Sequence, residues 1–234
     1  MSEVFIFSSV GSSFSDEYKN SVYESWELNK YDSGCVIYNK EDSFDYAKYF
    51  DTIAYRSGLK FPNFFYFLNR FPDILNNHNY FAILDDDLLF NNSDVFDQCR
   101  LISSNNNLDV VSISNDNRKK KSPYSIMKYN PYETALWITN FCEMGFMIIK
   151  KDFLTKIIQR YYELDCKIKD YGFDWFISNL ATEYNKKIGI IKHLSYSNPV
   201  SKKRDMHWYK ISTNTPKEFR YIEPKIYEKL RITS

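Results

Sequence analysis

The sequence lacks the features that mark disulfide-linked, metal-clustered or membrane-spanning proteins. Its four cysteines, Cys35, Cys99, Cys142 and Cys166, are far apart and form none of the close pairs that bind metals. No apolar run approaches the roughly 18 residues of a transmembrane helix, and no charged-then-apolar leader is recognisable. These absences predict buried free thiols and a soluble, cytoplasmic protein.

Bulk charge and a phosphate-binding glycine loop are also missing. The chain carries 31 basic and 30 acidic residues, a net charge of +1, which gives no reason to expect a nucleic-acid partner. The Gly-x4-Gly-Lys-Ser/Thr pattern of nucleotide-triphosphate motors is absent. With 234 residues and neither repeats nor linkers, the chain is predicted to form one domain.

An acidic triplet inside an apolar stretch is the most informative feature present. Residues 80–84 form a short apolar run of the kind typical of a buried strand, and Asp85, Asp86 and Asp87 follow it directly. In an open α/β sheet this end of a strand is where ligands bind. Adjacent carboxylates repel unless a cation compensates them, and oxygen ligands suit Mg²⁺ or Mn²⁺. A solvated acidic turn is the alternative for the triplet taken alone.

The remaining sequence alternates between strand and helix patterns. Strands are predicted at 4–7, 34–38, 81–84, 109–114, 144–149 and 187–192, and helices at 16–28, 44–55, 63–75, 94–104, 153–164 and from 174 onward. This alternation predicts an α/β fold with a mostly parallel central sheet flanked by helices. The basic run 118–121 has no apolar period and is predicted to be a surface loop, either solvated or acting as a lid over an anionic substrate.

Three features occur in a recognisable order: the acidic triplet after a central strand, an aspartate opening a late helix, and a histidine ending a late strand. This order resembles the GT-A superfamily of nucleotide-sugar glycosyltransferases over residues 4–193. The triplet 85–87 resembles the acidic metal motif called DxD, and 171–175 is similar to a Gly-aromatic-Gly-x-Asp turn with one glycine missing. The segment 140–146 resembles the acceptor-side segment that precedes that turn.

The resemblance implies roles for the donor-side residues. Asp87 would bind the metal, Asp85 would bind ribose and metal, and Asp86 would lie at the nucleotide without a fixed role. Ser9, in a small-residue loop after the first strand, would meet the nucleoside through its backbone. Lys60 would lie near the nucleotide, with an ordinary surface lysine as the alternative.

Other candidate residues are assigned in the same way. Asp42 would contact base or ribose, with a helix cap as the competing interpretation. Asp174 would be the general base of an inverting transfer, again with a helix cap as the alternative, and Glu143 is the reserve base. His193 would complete the metal shell, with His207 as its competitor.

The implied function is metal-dependent sugar transfer using Mn²⁺ or Mg²⁺. The donor would be a nucleotide diphosphate sugar, with UDP as the base-rate choice, and the acceptor a hydroxyl of a glycan or another molecule. No transmembrane segment is expected. The single domain, 1–234, would comprise a nucleotide-binding half (1–90), an acceptor and catalytic half (91–195) and a C-terminal extension (196–234).

Two alternatives stay open at this point. Sugar-phosphate nucleotidyltransferases share the nucleotide-binding half, but their first loop is rich in glycine and basic residues, whereas 8–13 has one glycine and no basic residue. A dehalogenase-type phosphatase is disfavoured because Leu89 replaces the expected Thr or Val. A GT-A-like binding module without turnover is the non-enzymatic alternative.

Overall fold

The protein is described by a computed structural model covering residues 3–117, 125–130, 132–164, 172–198 and 224–232. The basic run 118–121, Cys166, Tyr171 and His207 lie outside these ranges. Cys35, Cys99 and Cys142 are buried free thiols, as predicted. No helix among the described residues is long and apolar enough to cross a membrane.

Ten strands and six α-helices make up the described fold. The strands are β1 (Val4–Val10), β2 (Asp32–Ile37), β3 (Thr52–Tyr55), β4 (Tyr80–Asp85), β5 (Leu89–Phe90), β6 (Val110–Asn115), β7 (Ala135–Thr139), β8 (Phe146–Lys150), β9 (Ile188–Ser197) and β10 (Ile226–Arg231). The helices are α1 (Asp16–Ser25), α2 (Lys60–Arg70), α3 (Pro72–Asn77), α4 (Val95–Asn105), α5 (Lys151–Glu163) and α6 (Phe173–Glu183).

All ten strands belong to one sheet, in the order β10-β7-β9-β6-β8-β4-β1-β2-β3, with β5 paired to β9. Strands β3, β2, β1 and β4 are parallel, and their order is that of a mononucleotide-binding half. Strand β8 runs antiparallel between β4 and β6, and β6 and β9 are again parallel. The predicted α/β fold with a mostly parallel sheet is confirmed.

Helices cover both faces of the sheet because its strands are apolar on both sides. Along β1, Val4 and Ile6 point into one apolar cluster and Phe5 and Phe7 into the other. Helices α1 and α4 pack on the first face, and α2, α5 and α6 on the second. A parallel strand covered on both faces reads as a continuous apolar run, which is why the sequence identified β1 and β4 so clearly.

The helix predicted at 44–55 is wrong. The structure has a short 3₁₀ turn at Tyr46–Lys48, followed by the edge strand β3. The side chain of Asp45 accepts a hydrogen bond from the amide of Ala47 and caps the start of this turn. Because β3 pairs with β2, the strand pairing outweighs a weak helical pattern in this segment.

The helix predicted at 63–75 is two helices, α2 and α3, and starts three residues earlier. Pro62 lies in the first turn of α2, where its missing N–H has no intrahelical partner to lose. Pro72 cannot continue the preceding helix, so Phe71 takes an extended φ of −128° and the chain restarts as α3. The consequence for the site is that Lys60 opens α2.

The end of the chain contains more sheet than predicted. Strand β9 continues past His193 to Ser197, and β10 pairs antiparallel with β7. The described part of the C-terminal segment therefore extends the same sheet.

Candidate functional site

The acidic triplet lies at the C-terminal end of β4, as predicted. Asp85 is the last residue of the strand, and its neighbour across the parallel pair is Ser9 of β1. The carboxyl ends of β1, β2 and β4 meet at one edge of the sheet. Each of the three acids has different surroundings there.

Asp85 is paired with a lysine. The Nζ atom of Lys60 lies 2.5 Å from its Oδ1 atom, and the same ammonium donates to the carbonyl oxygen of Met144. Lys60 is buried whereas the side chain of Asp85 is half exposed. The lysine therefore places a fixed positive charge at the acidic edge, where the sequence predicted a basic residue.

The side chain of Asp86 turns toward the loop after β1. Its Oδ2 atom accepts hydrogen bonds from the amides of Gly11, at 3.2 Å, and Ser12, at 3.0 Å. Burial raises the pKa of Asp86 to about 6; the charge of Asp85 also raises it, and the bonds from Ser12 and Gly11 oppose the rise.

Asp87 is the acid whose charge is least compensated by the protein. Burial, followed by the charges of Asp85 and Asp86, raises its pKa, and Lys60 only partly opposes the shift. Its backbone carbonyl accepts a hydrogen bond from the hydroxyl of Tyr18, at 3.0 Å. The indole N–H of Trp26 donates a hydrogen bond to the next carbonyl, that of Leu88, at 2.6 Å.

A divalent cation fits this set of groups. The three acids are oxygen donors, which suit such a cation. Burial and the neighbouring carboxylates raise the pKa of Asp86 and Asp87, a shift that a bound cation would oppose. Among the described residues, however, no three His, Cys, Asp or Glu side chains are grouped around a common metal position. The metal ligands Asp85, Asp87 and His193 therefore stay a prediction.

Ser9 lies inside β1 rather than in the loop that follows. Its hydroxyl accepts a hydrogen bond from the side-chain amide of Asn63 at 2.8 Å, and the oxygen of that amide accepts one from Arg56 at 2.9 Å. Its backbone belongs to a strand paired on both sides. The predicted backbone contact to a nucleoside is not tested, but the loop proper begins only at Gly11.

Asp42 forms a buried ion pair. Lys19 donates to both of its oxygens at 2.8 Å, and Tyr46 donates to Oδ2 at 2.7 Å. Its Oδ1 atom also accepts a hydrogen bond from the amide of Phe44. Asp42 therefore caps a turn instead of the long helix that the sequence predicted. Burial alone would raise the pKa of Asp42, but the bonds from Lys19 and Tyr46 outweigh it and hold the pKa below its ordinary value.

Glu143 is connected to the acidic edge through two residues. The hydroxyl of Tyr196 lies 3.5 Å from its Oε2 atom. Gly145 separates Tyr196 from Asp85: a Cβ atom at this glycine would lie 2.9 Å from the tyrosine hydroxyl and 3.5 Å from Oδ2 of Asp85. The amide of Asp85 also donates to the carbonyl of Gly145 at 2.9 Å. Glu143 is thus held near the same edge of the sheet.

Asp174 lies in the first turn of α6, two residues after Gly172, which occupies the N-cap position with a φ of +89°. The first residue of this helix, Phe173, stacks on Phe61 with ring centroids 4.0 Å apart and planes 3° apart. Phe61 follows Lys60, so the starts of α2 and α6 lie side by side. Burial, followed by the charge of Asp174, raises the pKa of Cys142, the residue before Glu143.

His193 lies in an irregular part of β9. The pairing with β6 shifts between Ile113↔Ile191 and Ser114↔Ser195, leaving three residues of β9 in a bulge. Its Nδ1 atom is buried and has no hydrogen-bond partner among the described residues, and burial lowers its pKa. The structure does not group it with the acidic triplet.

Four residues that the sequence analysis did not select belong to this region: Tyr18, Asn63, Gly145 and Tyr196. Asn63 had a recognisable signal, because it lies three residues after Lys60 on the same buried face of an otherwise aromatic helix. Tyr196 had none, since the bulge in β9 decides which way it points.

The fold is similar to the GT-A-like fold of solved glycosyltransferases. Mannosyltransferase PcManGT from Pyrobaculum calidifontis, solved in complex with GDP-Man and Mn²⁺, matches with a TM-score of 0.57 at 15% identity. The match covers 89% of this chain and 59% of that one. TarS 1–349 from S. aureus matches with a TM-score of 0.54 at 12% identity, over 84% of this chain and 60% of TarS.

These similarities establish the fold and not the reaction. The chain spans about three-fifths of the length of PcManGT and TarS. No family model matches the sequence, and no curated protein matches it.

Proposed function

We propose that this protein transfers a sugar from a nucleotide diphosphate sugar to an acceptor hydroxyl. The observation that carries the proposal is the set of three carboxylates at the end of β4, beside Lys60 and the loop amides of Gly11 and Ser12. An ammonium at the carboxyl end of parallel strands is suited to the charged part of a nucleotide, and the Gly11–Ser12 loop beside it is held in place by Asp86. The similar mannosyltransferase, solved in complex with GDP-Man and Mn²⁺, supports a donor of this class.

Asp87 and Asp85 would hold a divalent cation, Mn²⁺ or Mg²⁺. Such a cation, when bound, neutralises the negative charge that builds up on the leaving diphosphate. The chain's own contribution on this side is the ammonium of Lys60, which is anchored by Asp85 and the carbonyl of Met144. A donor with UDP is the starting expectation, and the GDP-Man of the similar mannosyltransferase makes GDP-sugars the next to test.

The acceptor side is formed by the segment 142–145 together with the start of α6. Asp174 accepts the proton of the attacking hydroxyl and the transfer inverts the anomeric carbon, with Glu143 as the alternative base. Glu143 belongs to this segment, and Asp174 follows Phe173, which stacks on Phe61 next to Lys60. A base on the side opposite the leaving diphosphate is what direct displacement requires.

The metal part of the proposal is tested by measuring nucleotide binding with and without Mn²⁺. UDP and GDP are titrated by calorimetry into the wild type, the Asp87→Ala variant and the matched control Asp73→Asn, which lies on the exposed surface of α3. We expect Mn²⁺ to tighten binding at least tenfold in the wild type and the control, and to have no effect in Asp87→Ala. Equal binding in chelator and in Mn²⁺ by the wild type contradicts the metal assignment.

A further inference from the structure

Asp86 faces the protein's own loop instead of the space in front of the acidic edge. A single oxygen of Asp86, Oδ2, accepts hydrogen bonds from the backbone amides of both Gly11 and Ser12. On the other side of the loop, a Cβ atom at Gly11 would lie 2.9 Å from the amide nitrogen of Asn39, and the φ of this glycine is +138°. The loop is therefore fixed between Asp86 and Asn39, in a conformation that favours glycine.

The first loop and the acidic turn are also joined by hydrogen bonds in which the acidic turn is the acceptor through its backbone carbonyls. Helix α1, which follows the loop, donates hydrogen bonds from Tyr18 to the carbonyl of Asp87 and from Trp26 to the carbonyl of Leu88. The loop and its helix thus hold the backbone of the acidic turn, while the acidic turn holds the amides of the loop. This reciprocal arrangement fixes the position of Asp87 relative to the first loop.

From these contacts we propose that Asp86 is a positioning residue that holds the 11–12 loop in place for the nucleotide, and that it is not a metal ligand. The inference rests on the proposed function, because it assumes that the loop meets the donor. An oxygen that already accepts hydrogen bonds from two loop amides is poorly disposed to ligate a cation, whereas the carboxylate of Asp87 accepts a hydrogen bond from its own backbone amide, which does not tie it to the loop. Asp86 thus anchors the loop, while Asp85, which also contacts Lys60, and Asp87 are the proposed metal ligands.

Two substitutions at one position separate anchoring from metal binding. Asn at position 86 keeps an oxygen that accepts the two amides but loses the negative charge, whereas Ala loses both. We expect Asp86→Ala to raise the KM for the nucleotide sugar at least tenfold with a much smaller change in kcat. Asp86→Asn should restore most of this KM, and both variants should keep the wild-type dependence on Mn²⁺ concentration.

Hydrogen exchange of the amides of Gly11 and Ser12, measured without ligand, gives a readout that does not require turnover. Exchange should accelerate at least tenfold in Asp86→Ala and return toward wild type in Asp86→Asn. Asp73→Asn serves as the control in both assays, and thermal melting identifies any variant that fails to fold.

Three outcomes overturn the proposal. A loss of the Mn²⁺ response in Asp86→Asn would make Asp86 a metal ligand. Unchanged KM in Asp86→Ala would mean that the anchored loop does not serve the donor, and unchanged exchange would mean that Asp86 does not hold the loop. If the wild type binds no nucleotide sugar at all, the proposed function fails, and the exchange rates alone decide whether Asp86 anchors the loop.

Discussion

At the scale of single residues, identical side chains at adjacent positions have different partners. Asp85 contacts Lys60, Asp86 contacts the amides of Gly11 and Ser12, and burial and neighbouring charge raise the pKa of Asp87. Sequence alone makes the three acids equivalent. Their separate environments arise because the chain leaves β4 in a turn that faces a different neighbour at each position.

The general base is a second residue-scale question, and two isosteric substitutions address it. Asp174→Asn keeps the oxygen that accepts the amide of Trp175, and Gly172 still occupies the cap position, so stability should change little. Because an amide does not accept the proton, we expect kcat to fall by roughly 10² to 10⁴. Glu143→Gln should retain most activity, since it can still accept a hydrogen bond from Tyr196.

Steady-state kinetics on both variants, with NMR of the product's anomeric proton, checks this assignment. The reverse ranking of the two variants would move the base to Glu143. A product that retains the donor's anomeric configuration would contradict direct displacement.

The ion pair between Asp42 and Lys19 allows a prediction of how the stability of the protein depends on pH. The pair is buried and its pKa shift is downward, so Asp42 is more easily ionised in the folded than in the unfolded protein. The stability it contributes is therefore present above the unfolded pKa, near pH 4, and is lost as the pH falls through the lower folded pKa. Replacing one partner of a buried pair costs about 3 to 5 kcal/mol, because it leaves the other charge uncompensated.

We expect Asp42→Asn to reduce the free energy of unfolding by that amount at pH 7, measured by urea denaturation. The difference between wild type and variant should shrink below about pH 4, as Asp42 becomes protonated in the wild type. A difference that stays constant down to pH 2.5 would show that the charge of Asp42 does not contribute.

At the scale of elements, the contact between the residue before β8 and the end of β9 fixes the surroundings of Glu143. Gly145 precedes β8 and lies beneath the hydroxyl of Tyr196 on β9. This close approach joins Glu143 to Asp85, so a side chain at Gly145 must displace one of its neighbours. Glycine is required here by space, not by backbone conformation.

A double substitution tests that contact. Gly145→Ala places a methyl group 2.9 Å from the hydroxyl of Tyr196, and we expect it to lower the free energy of unfolding by about 1 to 3 kcal/mol. Tyr196→Phe removes the oxygen that clashes, so the double variant should recover part of the loss. Additive effects of the two substitutions in urea denaturation would contradict this account.

Elements were predictable where local pattern and tertiary environment agree. Strand β4 was found because both of its faces are buried, which makes it a continuous apolar run. Strand β3 was mistaken for helix because it is an edge strand of four residues, whose identity depends on pairing with β2. The break at Phe71 follows from Pro72, a signal that was present in the sequence but was not used.

At the scale of the whole molecule, the sheet order brings distant segments to one edge. The acidic triplet, the 11–12 loop and Lys60 come from three connections of the parallel half, and Glu143 arrives through the antiparallel strand β8. The position of the acidic triplet at the end of β4 could be predicted because motif and strand coincide there. The link from Glu143 through Tyr196 depends on a bulge in β9, which no local pattern encodes.

The measurement that tests the account most directly is release of nucleoside diphosphate from a panel of UDP- and GDP-sugars. Wild type, Asp87→Asn and the surface control Asp73→Asn are incubated with each donor, with Mn²⁺ or with chelator, and products are resolved by chromatography. We predict diphosphate release from at least one donor by the wild type and the control, abolished by chelator and reduced at least 10²-fold in Asp87→Asn. No release from any donor, or formation of a nucleotide sugar from nucleoside triphosphate and sugar phosphate instead, would contradict the assignment of this fold and site to sugar transfer.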